Sequence, residues 1–406
     1  MVALRPLRAL RPEPSAAAAV AAVPYDVVST SEARALAAGN PLSFLHVSRA
    51  EIDLPDDIDP HADLVYATAA TNLAKLRASA PLIVETRPSL YVYRLRMGGH
   101  VQIGVAACFS VDEYEADVIR KHERTRKDKE DDRTRHIIEL RAQTGPVFLV
   151  YRADARIDAL VAEVSARPPL FQFEAEDGVE HVLWQVPEGA TEALIGAFAG
   201  VSLAYIADGH HRAASAWRAR QSLARTDAAG TGEVVEADAF LAVAFAHDQT
   251  QILPYHRYVT DLGGRSAEAF RAALEAVVRV GPESDGPASV AMYLAGHWYG
   301  LELAAAPAGA PTADRLDVAR LQDQVLAPLL GIGDPRTDDR IGFVGGIRGR
   351  PALAGLVDSG AAAVAFALQP VTIEQLMQIA DDGGIMPPKS TWFEPKLRDG
   401  LLSHLI

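Results

Sequence analysis

Two histidines and an arginine follow an Asp-Gly pair in Asp208-Gly209-His210-His211-Arg212, placed between the apolar run Leu203-Ala204-Tyr205-Ile206-Ala207 and the small residues Ala213-Ala214. That order reads as a strand, a tight turn and a helix. Asp208 can cap the helix and Gly209 lets the backbone turn. The free N–H groups of the first helical turn then form an anion site beside His210, His211 and Arg212. Phosphate fits such a turn. An N-capped helix with exposed polar residues would use the same letters, but adjacent histidines next to an arginine are an odd choice for capping alone.

A second candidate is Arg120-Lys121-His122-Glu123-Arg124-Thr125-Arg126-Lys127, continuing through Asp132-Arg133 to His136. Residues 120–141 hold nine Lys or Arg against six Asp or Glu. This island could recruit phosphate or carboxylate, with His122 and Arg124 as contacts and Glu123 or Asp132 as base or magnesium ligand. The plainer reading is a solvated, salt-bridged helix. A third candidate is Gly384-Ile385-Met386-Pro387-Pro388-Lys389-Ser390-Thr391-Trp392-Phe393-Glu394-Pro395-Lys396. Two prolines restrict the approach to Lys389, Ser390 and Thr391 offer hydroxyls, and two aromatics offer an anchor. It could equally be a C-terminal segment tied down by those aromatics, and it lacks the Walker A pattern.

Pro24-Tyr25-Asp26-Val27, Asn40-Pro41 with His46, Tyr255-His256-Arg257 and Gly342-Phe343-Val344-Gly345-Gly346 are weaker signals that could be only turns or core strands. The glycine loop lacks the spacing of a dinucleotide fingerprint. Serine-hydrolase and zinc-protease motifs are missing from the sequence.

The elements that must carry these residues mix two periods. Period-two segments flank turn residues at 89–97 with 100–109, 170–175 with 179–186, 290–295 with 298–303, and 240–246 with 252–259, all read as hairpins. Helical periodicity covers 62–78, 155–165, 212–223, 267–278, 318–330 and 373–381. The fold class expected is α+β, with mixed, mainly antiparallel sheets and packed helices. A Pro/Gly-containing connector at 188–200 suggests two domains, residues 1–195 and 196–406.

With 406 residues, 49% of them hydrophobic and 23% charged, the chain has the balance of a globular protein. A net charge of −14 argues against a chain built to coat nucleic acid or an anionic membrane, so any anion site must be local. One cysteine, Cys108, excludes an internal disulfide and suits a reducing compartment. The Ala/Val run at 16–23 has no Leu or Phe and no evident cleavage site, which favours a cytoplasmic start. No window is long and apolar enough for a membrane span.

Taken together, Pro24-Tyr25-Asp26-Val27, Asn40-Pro41 with His46-Val47, His122-Glu123-Arg124-Thr125, Ala207-Asp208-Gly209-His210-His211-Arg212 and Met386-Pro387-Pro388-Lys389-Ser390-Thr391-Trp392-Phe393-Glu394-Pro395-Lys396-Leu397 resemble the bacterial and archaeal domain-of-unknown-function family 1015 over almost the whole chain. A more distant resemblance is to the ParB and sulfiredoxin-like superfamily, which includes nucleotide-dependent free-serine kinases and CTP-binding ParB proteins. There a Gly-x-x-Arg-x-x-Ala turn holds nucleotide phosphates. Gly209 and Arg212 match, Ser215 stands at the final alanine, and the acidic segment around Glu123 precedes the turn rather than following it.

The resemblance implies a ParB/sulfiredoxin-like core and a nucleotide-dependent phosphotransferase acting on a small hydroxylated metabolite, with free serine the suggested substrate, ATP or ADP the donor and Mg²⁺ required. Gly209 to Arg212 would hold phosphates, and Lys389 with Ser390 and Thr391 would neutralise the transferred group. Glu123 or Asp208 would accept the hydroxyl proton or hold the metal. Run with water, the same site would be a phosphatase of a metabolite such as phosphoserine, through a phosphohistidine at His210 or His211. The alternative without catalysis is a ParB-like protein that responds to nucleotide and acts on a partner, for which the acidic balance speaks against DNA.

Overall fold

Gly98 and Gly99 turn the chain between two alternating segments, and these pair antiparallel from Tyr91↔Ala106 to Met97↔His100 in the structure, a computed structural model describing residues 1–79, 82–226, 236–282 and 289–406. The chain divides into two units, one of Met1–Thr250 with Pro395–Ile406 and one of Gln251–Glu394.

Nine strands form the main sheet of the first unit. They are β1 (Leu4–Arg5), β2 (Tyr91–Met97), β3 (His100–Ser110), β4 (Ile119–Arg120), β5 (Val147–Tyr151), β6 (Phe171–Glu174), β7 (Val179–Gln185), β8 (Ala204–Asp208) and β9 (Ala239–Ala246). Their order is β4-β8-β5-β9-β3-β2-β7-β6, with β1 also on β3. The pairs β8/β4 and β9/β5 are parallel and the others antiparallel. The longer helices are α1 (Asp63–Ser79), α2 (Lys127–Leu140), α3 (Ala155–Ser165), α4 (Glu188–Phe198) and α5 (His210–Thr226). This is the α+β class expected.

Three expectations need correction. Residues 240–246 and 252–259 do not form a hairpin. Both edges of β9 are taken by β5 and β3, Pro254 interrupts the next stretch, and Tyr255–Val259 pairs with Ile341–Gly345 and Val364–Ala367 in the second unit. The segment read as a connector, 188–200, is the helix α4. Gly189 and Gly196 each cost about 1 kcal/mol there, but Leu194 and Phe198 are fully buried, worth roughly 1.5–3 kcal/mol apiece. The sheet also runs across the boundary placed between 195 and 196, because β8 and β9 complete it. The units part after Thr250 and after Glu394 instead.

The second unit holds a six-stranded antiparallel sheet in the order 279–282, 297–302, 289–294, 364–367, 255–259 and 341–345. Phe270, Leu274, Met292, Leu301, Leu321 and Phe366 fill its core. Its glycine loop is explained by packing. A Cβ at Gly345 would stand 2.8 Å from the Trp392 ring, and one at Gly346 would stand 2.5 Å from the Pro254 carbonyl oxygen.

Candidate functional site

β8 breaks register between Ile206 and Asp208, and Gly209 follows in the left-handed region at φ +92°. A side chain there would be strained, and its Cβ would also meet the Arg212 guanidinium at 3.0 Å. α5 begins at His210, with Ala213 N–H donating to the Gly209 carbonyl at 3.1 Å. The cap position is therefore Gly209, one residue later than expected, and glycine has no side chain to satisfy the first-turn N–H groups. Those groups and the helix dipole are what an anion would meet.

Asp208 has another task. Arg212 Nη2 donates to its Oδ2 at 2.8 Å, and Lys396 Nζ lies 3.4 Å from its Oδ1. Arg212 Nη1 donates to the Pro146 carbonyl, while Arg212 Nε is buried with no hydrogen-bond partner among the described residues. Burial works against both charges, yet Lys396 and Arg212 hold the Asp208 carboxyl below its ordinary range, and Asp26, Asp208 and Asp399 hold the Arg212 guanidinium above its own. Asp26 Oδ2 is 3.8 Å from Arg212 Nη2. Ser215, at the alanine position of the resembled turn, is buried and donates to the Glu130 carbonyl at 3.2 Å, which gives its hydroxyl a use.

His122, just after β4, meets His210 across the turn. Their Nε2 atoms are 3.3 Å apart and the rings are nearly perpendicular, with each Nδ1 buried and unpartnered among the described residues. Burial lowers the His122 pKa to about 4 against the pull of Asp208, and burial followed by His122 lowers that of His210. Both rings are neutral at pH 7. His211 faces elsewhere, its Nε2 accepting from Arg126 N–H at 3.1 Å. Glu123 and Arg124 are exposed. Much of the positive island is paired locally, as in Lys127 with Asp131 at 2.6 Å and Arg135 with Asp63 at 2.8 Å. Its Arg133, by contrast, is turned inward.

Arg133 and Arg212 line one cavity of ≈30 Å³, with Tyr25, Thr144, Gly145 and Asp399 among the other walls. The Arg133 guanidinium lies 4.2 Å over the Tyr25 ring and donates from Nε to Asp132 Oδ2 at 2.8 Å. Tyr66 donates to the other oxygen at 2.7 Å. Arg133 and its neighbours outweigh burial and bring the Asp132 pKa to about 2, so Asp132 is a counter-ion and no base. Asp399 is the opposite case. Burial, opposed by Arg212 and aided by Asp26, raises its carboxyl to about 7.

Asp399 and Lys396 arrive on the segment that rejoins the first unit at Pro395. Asp399 exchanges backbone hydrogen bonds with Ala22, and Arg398 Nε donates at 3.2 Å to His181, whose other ring nitrogen meets the Tyr93 hydroxyl at 2.8 Å. Asp399 and Gly145 were not among the expected site residues, and Arg133 and Lys396 lay within the second and third candidate segments without a role assigned to them. Lys389, Ser390 and Thr391 belong to the second unit. There Lys389 sits at φ +53° with Nζ 5.7 Å from the Tyr255 ring, and Ser390 donates to the Pro387 carbonyl. Arg257 Nη2 holds the same loop through the Pro388 carbonyl at 2.8 Å.

Among the described residues no group of three or more His, Cys, Asp or Glu is gathered to hold a metal ion. No helix among them is long and apolar enough to cross a membrane. A free serine kinase variant in complex with AMP aligns over 73% of this chain and 92% of its own, at 13% identity and a TM-score of 0.36. A conserved hypothetical protein from Pyrococcus furiosus covers 74% and 94% at 13% identity and 0.34, and a C-terminally truncated SbnI from Staphylococcus aureus covers 72% and 85% at 12% and 0.38. Likenesses this faint carry no functional weight. No curated protein matches the sequence. The family described as "Protein of unknown function (DUF1015)" matches residues 4–319, well over half of the sequence, and the chain belongs to that family.

Proposed function

We propose that the protein is a nucleotide-dependent phosphotransferase that moves a phosphoryl group between ATP or ADP and a small hydroxylated metabolite, with the nucleotide phosphates resting on the first turn of α5. One observation carries this reading: Arg212, in that first turn, and Asp399, whose carboxyl titrates near neutrality, line the same cavity. Phosphoryl transfer asks a protein chiefly for fixed positive charge around the transferring group and a base for the attacking hydroxyl. Arg212 and the N–H groups of the first turn of α5 supply the first. Asp399 supplies the second, since a base is most effective when its pKa lies near the working pH.

Asp208, held ionised by two cations, positions Arg212 and Lys396 instead of accepting a proton. We assign to Lys396 the neutralising role that the sequence suggested for Lys389. Mg²⁺ would enter with the nucleotide phosphates, and no residue is assigned to it. The test is thermal stability with ATP, ADP and AMP, with and without Mg²⁺, followed by transfer of labelled phosphate to serine and other small alcohols. A ligand at 100 times its dissociation constant stabilises the native state by about 2.7 kcal/mol. Stabilisation by ATP or ADP and label in the alcohol support the reading. Indifference to every nucleotide contradicts it.

A further inference from the structure

We infer that water is a second phosphoryl acceptor at this site: with nucleotide bound and no alcohol present, the protein hydrolyses the terminal phosphoanhydride bond. The inference rests on the phosphotransferase reading. It comes from the size and walls of the cavity. Its ≈30 Å³ is room for about two waters, each of which needs roughly 10–15 Å³ and two to four polar partners. A metabolite can place its reacting hydroxyl there only with the rest of its body outside. Nothing in that volume separates an alcohol oxygen from a water oxygen.

The walls supply the partners. Asp399 offers carboxyl oxygens, Thr144 a hydroxyl, and Arg133 and Arg212 line the same space, with Arg212 Nε free of any partner among the described residues. Gln143 also lines it, but both ends of its amide are committed, to the Ala239 carbonyl at 3.0 Å and the Leu241 N–H at 2.8 Å. Asp399 is therefore the wall group able to take a proton from an oxygen nucleophile. His136, the other titratable neighbour, spends its Nε2 proton on the Val47 carbonyl at 3.1 Å and is made a weak base by burial, which lowers its pKa to about 3, while burial raises Tyr25 above its ordinary pKa.

The step balances without a further reactant. A water lone pair attacks the terminal phosphorus in line with the leaving oxygen, and an O–P bond forms as the P–O bond to the penultimate phosphate breaks. The electron pair leaves with the nucleoside diphosphate from ATP, or the monophosphate from ADP. The water proton passes to an Asp399 carboxylate oxygen, while Arg212 and the α5 N–H groups face the charge on the transferring group.

The experiment uses the full chain with MgATP or MgADP in ¹⁸O-enriched water and no alcohol. Released inorganic phosphate should carry one ¹⁸O, and Asp399→Asn should lower its release by about 10²-fold or more while MgATP still raises the variant's thermal stability. An alcohol that is phosphorylated should suppress the ¹⁸O product. Nucleotide stabilisation without phosphate release overturns this inference and leaves the phosphotransferase reading standing, whereas release that Asp399→Asn leaves unchanged overturns the inference as a step of this cavity and takes the base from the phosphotransferase reading as well. Failure of every nucleotide to stabilise the protein removes both.

Discussion

Gly145 lies so close to Asp399 that a Cβ at position 145 would stand 2.7 Å from Oδ1, and the same atom would come within 3.5 Å of Arg212 Cδ. The missing side chain lets carboxyl and guanidinium stem share one wall. Gly145→Ala should turn the Asp399 carboxyl aside, because a side-chain end yields more easily than backbone. An ångström of misplacement can cost about 10²-fold in rate. Turnover should fall by about that factor while nucleotide still raises thermal stability. Unchanged turnover in the variant would take Asp399 out of the chemistry.

Asp399 also makes stability depend on pH. Its carboxyl goes from 3.8 to about 7 on folding, through burial first, with Asp26 adding and Arg212, Arg133 and the Tyr25 amide opposing. A carboxyl raised in this way favours the fold while protonated, so its contribution is complete below pH 3.8 and is lost as pH rises through 7. Asp399→Asn does not titrate. Relative to the parent it should gain about 1–4 kcal/mol between pH 4 and pH 8.5. Urea unfolding at both pH values measures this, and a difference that stays constant would mean that Asp399 is solvated.

His122 predicts the opposite slope at acid pH. Its folded pKa of about 4 lies below the usual 6.5 because of burial, with Asp208 pulling upward. Stability from the neutral ring is present above pH 6.5 and lost as pH falls through 4, an effect of about 3 kcal/mol. His122→Gln should flatten the fall in unfolding free energy across that window. An equally steep fall in the variant would place the acid sensitivity elsewhere, with His136, whose pKa burial lowers to about 3, the next group to replace.

Arg212→Lys keeps one charge and loses the planar fork. It abandons the Pro146 carbonyl and weakens the bond to Asp208, and a buried group left unpaired costs about 1–3 kcal/mol. The variant should melt lower than the parent and bind nucleotide about tenfold or more weakly. A variant of parental stability and affinity would show that neither the fold nor the ligand uses the second arm.

What could be read from the sequence was local. Strand, glycine turn and helix at 204–212 lie within a few residues of one another, so their letters announce them. The hairpins at 89–109, 170–186 and 290–303 are likewise short-range pairings around turn residues. Lys396 and Asp399 reach Asp208 and Arg212 only through the fold, after the whole second unit has intervened, and no spacing encodes that. The charged run at 120–141 hid its meaning differently. Asp132, His136, Ile137 and Leu140 form the buried face of α2, and Arg133 turns inward with them, while the excess of Lys and Arg that marked the segment is mostly paired at the surface. α4 was missed because two glycines and a preceding proline outweighed its buried Leu194 and Phe198 in the sequence pattern.

The central claim is that nucleotide phosphates rest on the first turn of α5. A crystal structure of the protein with ADP tests it directly. A phosphate oxygen should lie within hydrogen-bond distance of the N–H groups at His210 to Arg212, with Arg212 Nε facing the ligand and the Asp399 carboxyl on the far side of the transferred group. ADP bound elsewhere on the chain, with that turn contacting only water, would contradict it.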